Sequence, residues 1–206
     1  ADRQLAAREA YMAAQAVTPA ERYDREYFEG TWRTTAPAYT LEGRRKAEGR
    51  HPEIIASLWP GKSVLDVGCG PGFLVKFLYD LGMDVWGLEP SAEATIMAHP
   101  TITHRIALGD TAHRRPHEDI VICREVLEHL TVQQATALVA DLFRLARKAV
   151  YITTRFHSSP RSVFDVTDEL EVDPTHQTLL TQPLLRALCV LNGGKRRRDW
   201  ETALDW

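Results

Sequence analysis

The chain has 206 residues, 44% of them hydrophobic and 26% charged, with a formal net charge of −3. That length suits one domain with a real hydrophobic core, and the composition is ordinary for a soluble globular protein. The slight acidity offers no bulk attraction for nucleic acid, and no run approaches the roughly 18 uninterrupted apolar residues that would span a bilayer.

Residues 1–17 are rich in Ala, with Leu5, Ala6, Met12 and Ala13 at helical spacing, which predicts a helix closed by Pro19. Charges interrupt its apolar pattern, so it does not read as a signal peptide. Tyr23, Tyr27, Phe28, Trp32 and Tyr39 concentrate before the first strand. They read either as a lid over a substrate or as packing of an N-terminal helix on the sheet. A basic run, Arg44–His51, precedes a predicted helix from Pro52 to Leu58; Arg44–Lys46 and the later Lys195–Arg198 read as solvated surface, with phosphate binding as the alternative. The chain therefore divides into an extension, 1–51, and a main domain, 52–206.

From Ser63 the pattern changes to short apolar runs: Ser63–Val67, Val85–Leu88, Ile106–Leu108, Ile120–Cys123 and Ala149–Thr153. Helical segments separate most of them, notably Phe73–Leu81 and Thr131–Arg147, the latter with Leu138, Val139, Leu142 and Leu145 on one face. Strands alternating with helices predict an α/β fold: a mostly parallel central sheet, helices on both faces, and the N-terminal helical extension. Thr181–Leu191 reads as a helix with Pro183 in its first turn, ended by Gly193-Gly194, and Lys195–Trp206 is expected to supply a last strand. The cysteines, Cys69, Cys123 and Cys189, share no metal or disulfide spacing, which suits reduced thiols in the cytoplasm.

The strongest local signal is VLDVGCGPGF, residues 64–73, between a strand and a helix. Gly68, Gly70 and Gly72 permit a sharp turn and a close approach to a ligand, and the following helix presents free N–H groups. A dinucleotide fingerprint would need glycine at position 73, where Phe73 stands. Glu89 ends the second strand and Asp110 follows the third. Any one of these acids alone reads equally well as a cap or turn residue, but all lie at successive strand ends beside the glycine loop, where α/β sheets bind ligands.

The segment resembles the first motif of class I S-adenosylmethionine-dependent methyltransferases, over roughly residues 52–192. The resemblance implies the Rossmann-like fold of that class and S-adenosylmethionine as cofactor. Glu89 then accepts both ribose hydroxyls, Asp110 accepts from the adenine amino group, and Asp66 helps to hold the methionine portion. Gly68, Cys69, Gly70, Gly72, Pro90 and Thr111 complete the binding loops, with Cys123 and Arg124 lining the methionine end through their backbone.

CREVLEHL, residues 123–130, follows the fourth strand. Glu125, Glu128 and His129 stand at i, i+3 and i+4, so a helix starting there places all three on one face. Two carboxylates and an imidazole suit a divalent cation such as Mg²⁺ or Mn²⁺. The motif is similar to that of ubiquinone-biosynthesis O-methyltransferases and of small-RNA 3′-terminal 2′-O-methyltransferases. In the latter a downstream histidine completes the metal site; His176 falls there, with His157 as a substitute. Without a metal, Glu128 and His129 read as capping or loop-bonding residues, and His129 or His176 becomes the general base for a hydroxyl.

The expected activity is O-methylation of a small-molecule or glycan hydroxyl. The alternatives are metal-dependent 2′-O-methylation of an RNA 3′ end and a non-catalytic module that only binds the cofactor.

Overall fold

The computed structural model describes residues 23–29, 40–112, 118–156, 175–178 and 180–204. The helix predicted over 1–17, together with Trp32, Tyr39 and His157, lies outside these residues. The elements run α1 Arg25–Glu29, α2 Leu41–Glu48, α3 His51–Leu58, β1 Val64–Val67, α4 Phe73–Asp80, β2 Val85–Glu89, α5 Ala92–Ile96, β3 Ile106–Leu108, β4 Ile120–Arg124, a 3₁₀ turn Leu127–His129, α6 Val132–Leu145, β5 Ala149–Thr153, α7 Gln182–Leu191 and α8 Arg198–Leu204.

Every strand pairing is parallel, and the sheet order is β3-β2-β1-β4-β5. Both faces are covered, and the strands divide their side chains between them by alternation. Val64, Ile120 and Ile122 point into one core with α3, α4 and α8, contributing Ile55, Val75 and Leu204. Leu65, Val121 and Cys123 point into the other, closed by Leu142 and Leu145 of α6. A third cluster joins α6 to α7 through Val139, Leu185 and Leu188. The chain builds outwards from β1 through β2 to β3, then crosses to β4 and β5. The order thus reverses between β1 and β4, the point where such sheets open a crevice beyond their carboxyl ends.

The helix starts follow sequence chemistry. Thr131 caps α6 in a reciprocal box with Gln134, and Thr181 caps α7 ahead of Pro183. One expectation is corrected: among the described residues the tail from Lys195 to Leu204 supplies no strand, and Arg198–Leu204 is helical. Trp200, Ala203 and Leu204 stand at i, i+3 and i+4, and Asp199 and Glu201 occupy the first turn, where carboxylates favour a helix. Trp200 meets Trp59 edge to face at 5.6 Å, and Leu204 is buried in the α3/α4 core. Leu204→Ala should therefore cost about 2 kcal/mol of stability, the low end for a buried leucine. Urea unfolding checks this, and a loss below about 0.5 kcal/mol, as at an exposed position, would mean that the helix does not dock.

Candidate cofactor and active site

A cavity of about 610 Å³ opens at the carboxyl ends of the strands, within the range of small-molecule sites. The glycine loop forms one wall. Gly68, Gly70 and Gly72 all have left-handed φ, at 72°, 55° and 77°. A Cβ on Gly68 would lie 2.5 Å from Val126, and one on Gly72 would lie 2.4 Å from Ile106, so only glycine fits this path. Gly87 of β2 also needs to lack a side chain, because its Cβ would strike the Cys69 sulfur at 2.5 Å. No periodicity marks Gly87; only its place beside the loop shows its role.

Glu89 ends β2 with only 4% of its surface exposed. Oε2 accepts from the Gly70 N–H and Oε1 from the Ser91 N–H, both at 2.8 Å. Burial raises its pKa, opposed by these two amide bonds. Asp110, exposed, accepts from the Ala112 N–H at 2.9 Å. The adjoining Thr111 is clamped to α6: its hydroxyl donates to Asp141, and its carbonyl accepts from Arg144. Asp66 on β1 is buried, and burial lifts its pKa to about 7; Glu48 and Glu89 add to the rise and Arg124 opposes it.

Of the residues expected around the cofactor, Asp66, Gly68, Cys69, Gly70, Glu89, Pro90, Asp110, Thr111 and Arg124 line the cavity. Gly72 and Cys123 do not. Gly72 starts α4, and Cys123 is fully buried in the core behind β4.

Two segments before residue 52 contribute to the cavity. Tyr23, Tyr27 and Phe28 line the cavity, and the Tyr23 carbonyl accepts from Ser91 Oγ at 2.5 Å, tying this segment to β2's end. Glu48, within the basic run Arg44–His51, also lines it, and so does Arg44, which was expected on the solvated surface. Glu48 Oε1 accepts from Arg44 at 2.9 Å and Oε2 from Arg124 at 2.8 Å, with His51 Nδ1 at 3.4 Å. Burial alone would raise the Glu48 pKa, but its bonds to His51 and the charges of Arg124 and Arg44 hold it at about 2. A lone acid among Arg and Lys gives no sequence signal for this; β4 must first bring Arg124 alongside.

The segment after β4 departs from expectation. Glu125 takes a left-handed φ of 53°, and only a 3₁₀ turn, Leu127–His129, precedes α6. Glu125, Glu128 and His129 therefore do not share one helical face, because the helix begins at the Thr131 cap. Glu125 turns to Thr153 and Arg155, at 3.0 and 3.2 Å. Glu128, His129 and His176 do converge, with donor atoms within 4.8 Å of one another. Glu128 accepts from Thr154 at 2.8 Å, and its pKa rises through burial and then the Glu125 carboxylate. His129 Nδ1 lies 2.8 Å from Thr175 Oγ1 and its ring lies 4.9 Å from that of His176. Glu125 and His129 line the cavity, whereas Glu128 and His176 lie behind it.

Glycine loop, buried acid and crevice together define a class I, Rossmann-like nucleotide-cofactor site. A sequence model of the methyltransferase domain matches residues 39–189, and the chain belongs to that family. Ubiquinone biosynthesis O-methyltransferase of Aliivibrio fischeri strain MJ11 is 40% identical over 79 residues, 34% of each chain. Its counterpart from Pectobacterium atrosepticum is 38% identical over 87 residues, covering 36% of this chain and 35% of that one. The matches thus span about a third of the length of these relatives. The fold matches magnesium protoporphyrin IX methyltransferase of Synechocystis PCC 6803, solved with bound S-adenosylhomocysteine, at a TM-score of 0.67 and 19% identity over 86% of this chain and 89% of that one. It also matches a methyltransferase from Archaeoglobus fulgidus at 0.61 and 18% identity, over 81% of this chain and 72% of that one. Among the described residues no helix is long and apolar enough to cross a membrane.

Asp66 carries an energetic signature. Its folded pKa of about 7 lies above the ordinary 3.8, so the folded state holds the proton more tightly. Stability then falls as pH rises from about 4 to 7 and stays reduced above, by at most about 4 kcal/mol. Asp66→Asn should remove this cost and stabilise the protein at pH 8 by about 1–4 kcal/mol, with little change at pH 4. Equal urea midpoints for the two proteins at pH 8 would contradict the assignment.

Proposed function

We propose that this chain methylates a hydroxyl oxygen, using S-adenosylmethionine as cofactor and a small molecule or glycan as acceptor. The single observation that carries the reading is the glycine cradle stitched to the buried Glu89 carboxylate at the crevice. The donor set fits the cofactor. Glu89 keeps lone pairs for the ribose hydroxyls beyond those its two amides use, Asp110 stands exposed for the adenine amino group, and Asp66 serves the methionine end. When bound, the cofactor supplies a methyl group on a sulfonium, ready for in-line displacement. The relatives named for ubiquinone biosynthesis favour a small acceptor. The aromatic wall of Tyr23, Tyr27 and Phe28 suits a planar ring and excludes water. His129 faces the cavity with its ring oriented by Thr175, and it takes the acceptor's proton; His176, behind it, braces that ring. Three free thiols accord with a cytoplasmic setting.

A second reading rests on the convergence of Glu128, His129 and His176. These three would hold a divalent cation, which lowers the pKa of a bound hydroxyl and orients it. One carboxylate with two imidazoles suits Mn²⁺ better than Mg²⁺. An RNA 3′-terminal ribose is then the competing acceptor, disfavoured by the net charge of −3.

Glu89→Ala should weaken S-adenosylhomocysteine binding by about 1–3 kcal/mol in isothermal titration, the cost of stranding its partners; unchanged affinity would contradict the ribose assignment. Labelled methyl transfer should proceed to small hydroxylated compounds and fall at least about 100-fold in His129→Ala. Full activity in excess EDTA supports the histidine base, whereas turnover abolished with cofactor affinity intact supports the cation. Binding without transfer to any hydroxylated compound, glycan or short RNA would leave a cofactor-binding module.

A further inference from the structure

Helix α7 is apolar on both sides. Leu185 and Leu188 are buried against Val139 of α6. The other side carries Leu184, Ala187, Val190 and Leu191, all exposed, Val190 to 68% and Leu191 to 80%. Leu184, Ala187 and Leu191 fall at i, i+3 and i+7, so they form one stripe with Val190 beside it. Arg186 is the only charged residue of the helix. A helix that is apolar all round is ordinarily covered on every side, and a contiguous apolar patch left in water marks a surface that meets something. A basic run follows directly. Gly193 has a left-handed φ of 82°, and the Gly194 N–H donates to the Cys189 carbonyl at 2.8 Å, which turns the chain back at the helix end. Lys195, Arg196, Arg197 and Arg198 then stand exposed in succession. Glu201, paired with Arg196, also lies within electrostatic reach of Arg186 and Arg198, so the run gathers beside α7. These five cations outnumber Asp199 and Glu201 in a chain whose net charge is −3, so positive charge is concentrated here.

We propose that this surface docks the protein on an anionic lipid bilayer. Helix α7 lies in the interface, with Leu184, Val190 and Leu191 at the acyl boundary and Lys195–Arg198 on the headgroup phosphates. A bilayer surface offers apolar chains and negative headgroups side by side, which is the pairing that the stripe and the basic run present. Nucleic acid would engage the cations but leave the stripe in water. Trp200, the aromatic of this segment, is already engaged by Trp59 and by the Arg197 guanidinium, 4.0 Å from its ring centre, so it is not open for stacking on a base. A second copy packed symmetrically on the stripe would bring the cations of two chains together, a like-charge cost. Among the described residues, none of α7 or of the basic run lines the cofactor cavity, so this surface stands independently of the cofactor reading.

Vesicle flotation of the full chain tests this, comparing phosphatidylcholine alone with phosphatidylcholine containing phosphatidylglycerol. Wild type should bind the mixed vesicles at least about tenfold more tightly than the neutral ones, and the preference should shrink as salt rises. Each basic residue near such a surface is worth about fivefold, so Lys195→Gln with Arg198→Gln should weaken binding by about 25-fold. Val190→Ser with Leu191→Ser should weaken it by at least about tenfold, because both side chains then leave the acyl boundary. All four positions are exposed, so both double variants should keep the wild-type urea midpoint and S-adenosylhomocysteine affinity, which separates a lost surface from a lost fold. Should a double variant fail to fold, Leu191→Ser and Arg198→Gln carry the test singly, each with a loss of about fivefold. Equal binding to the two kinds of vesicle, or unchanged binding in the variants, would overturn the proposal. Binding to short RNA but to neither vesicle would overturn it in favour of a nucleic-acid surface. Concentration-dependent dimers that the serine variant dissolves, again without vesicle binding, would overturn it in favour of a second copy.

Discussion

The site depends on one buried carboxylate. Glu89 spans from the Gly70 amide to the Ser91 amide, and so joins the glycine loop after β1 to the start of α5 after β2. Two charge-assisted bonds offset part of the cost of burying the charge, and burial still raises its pKa on balance. Ser91, placed by that link, donates to the Tyr23 carbonyl and thereby fixes the aromatic segment at the cavity's mouth. Loss of Glu89 would free the loop, the entry to α5 and the aromatic wall together.

Around this link the charges are arranged in opposite senses. Glu48 lies among cations and titrates near 2, so it remains a fixed anion. Asp66 is buried, with the Glu48 and Glu89 charges adding to the effect of burial, and titrates near 7. Glu48 therefore stabilises the fold above its ordinary titration range, and that contribution fades as pH falls towards 2. Asp66 does the reverse. Such a cost at a cavity wall is the usual mark of a site that a ligand completes, and a positive group there would relieve it.

Much of this was readable from the residues alone, because the strands and their end-of-strand acids obey short-range rules. Apolar runs separated by capped helices predict the parallel sheet, and Thr131 and Thr181 start their helices where expected. Two of the failures concern a partner distant in the chain, and one, at Glu125, is local. Glu48 and Arg124 are 76 residues apart, and the basic residues around Glu48 hide it. Glu125 looks helical by spacing, yet the cap at Thr131 starts the helix later and leaves Glu125 in a left-handed turn. In the tail, Trp200 and Leu204 fit alternation along a strand as well as they fit helical spacing, and the docking surface that decides between them, Trp59, lies far back in the chain.

Hydrogen exchange with and without S-adenosylhomocysteine tests most directly that this cavity is the cofactor site. The structure predicts added protection in peptides covering residues 66–73, 89–91 and 109–112, where Gly70, Ser91 and Ala112 amides face the two acids, and none across α7. Protection absent from these three segments, or concentrated on α7 and α8, would contradict the account.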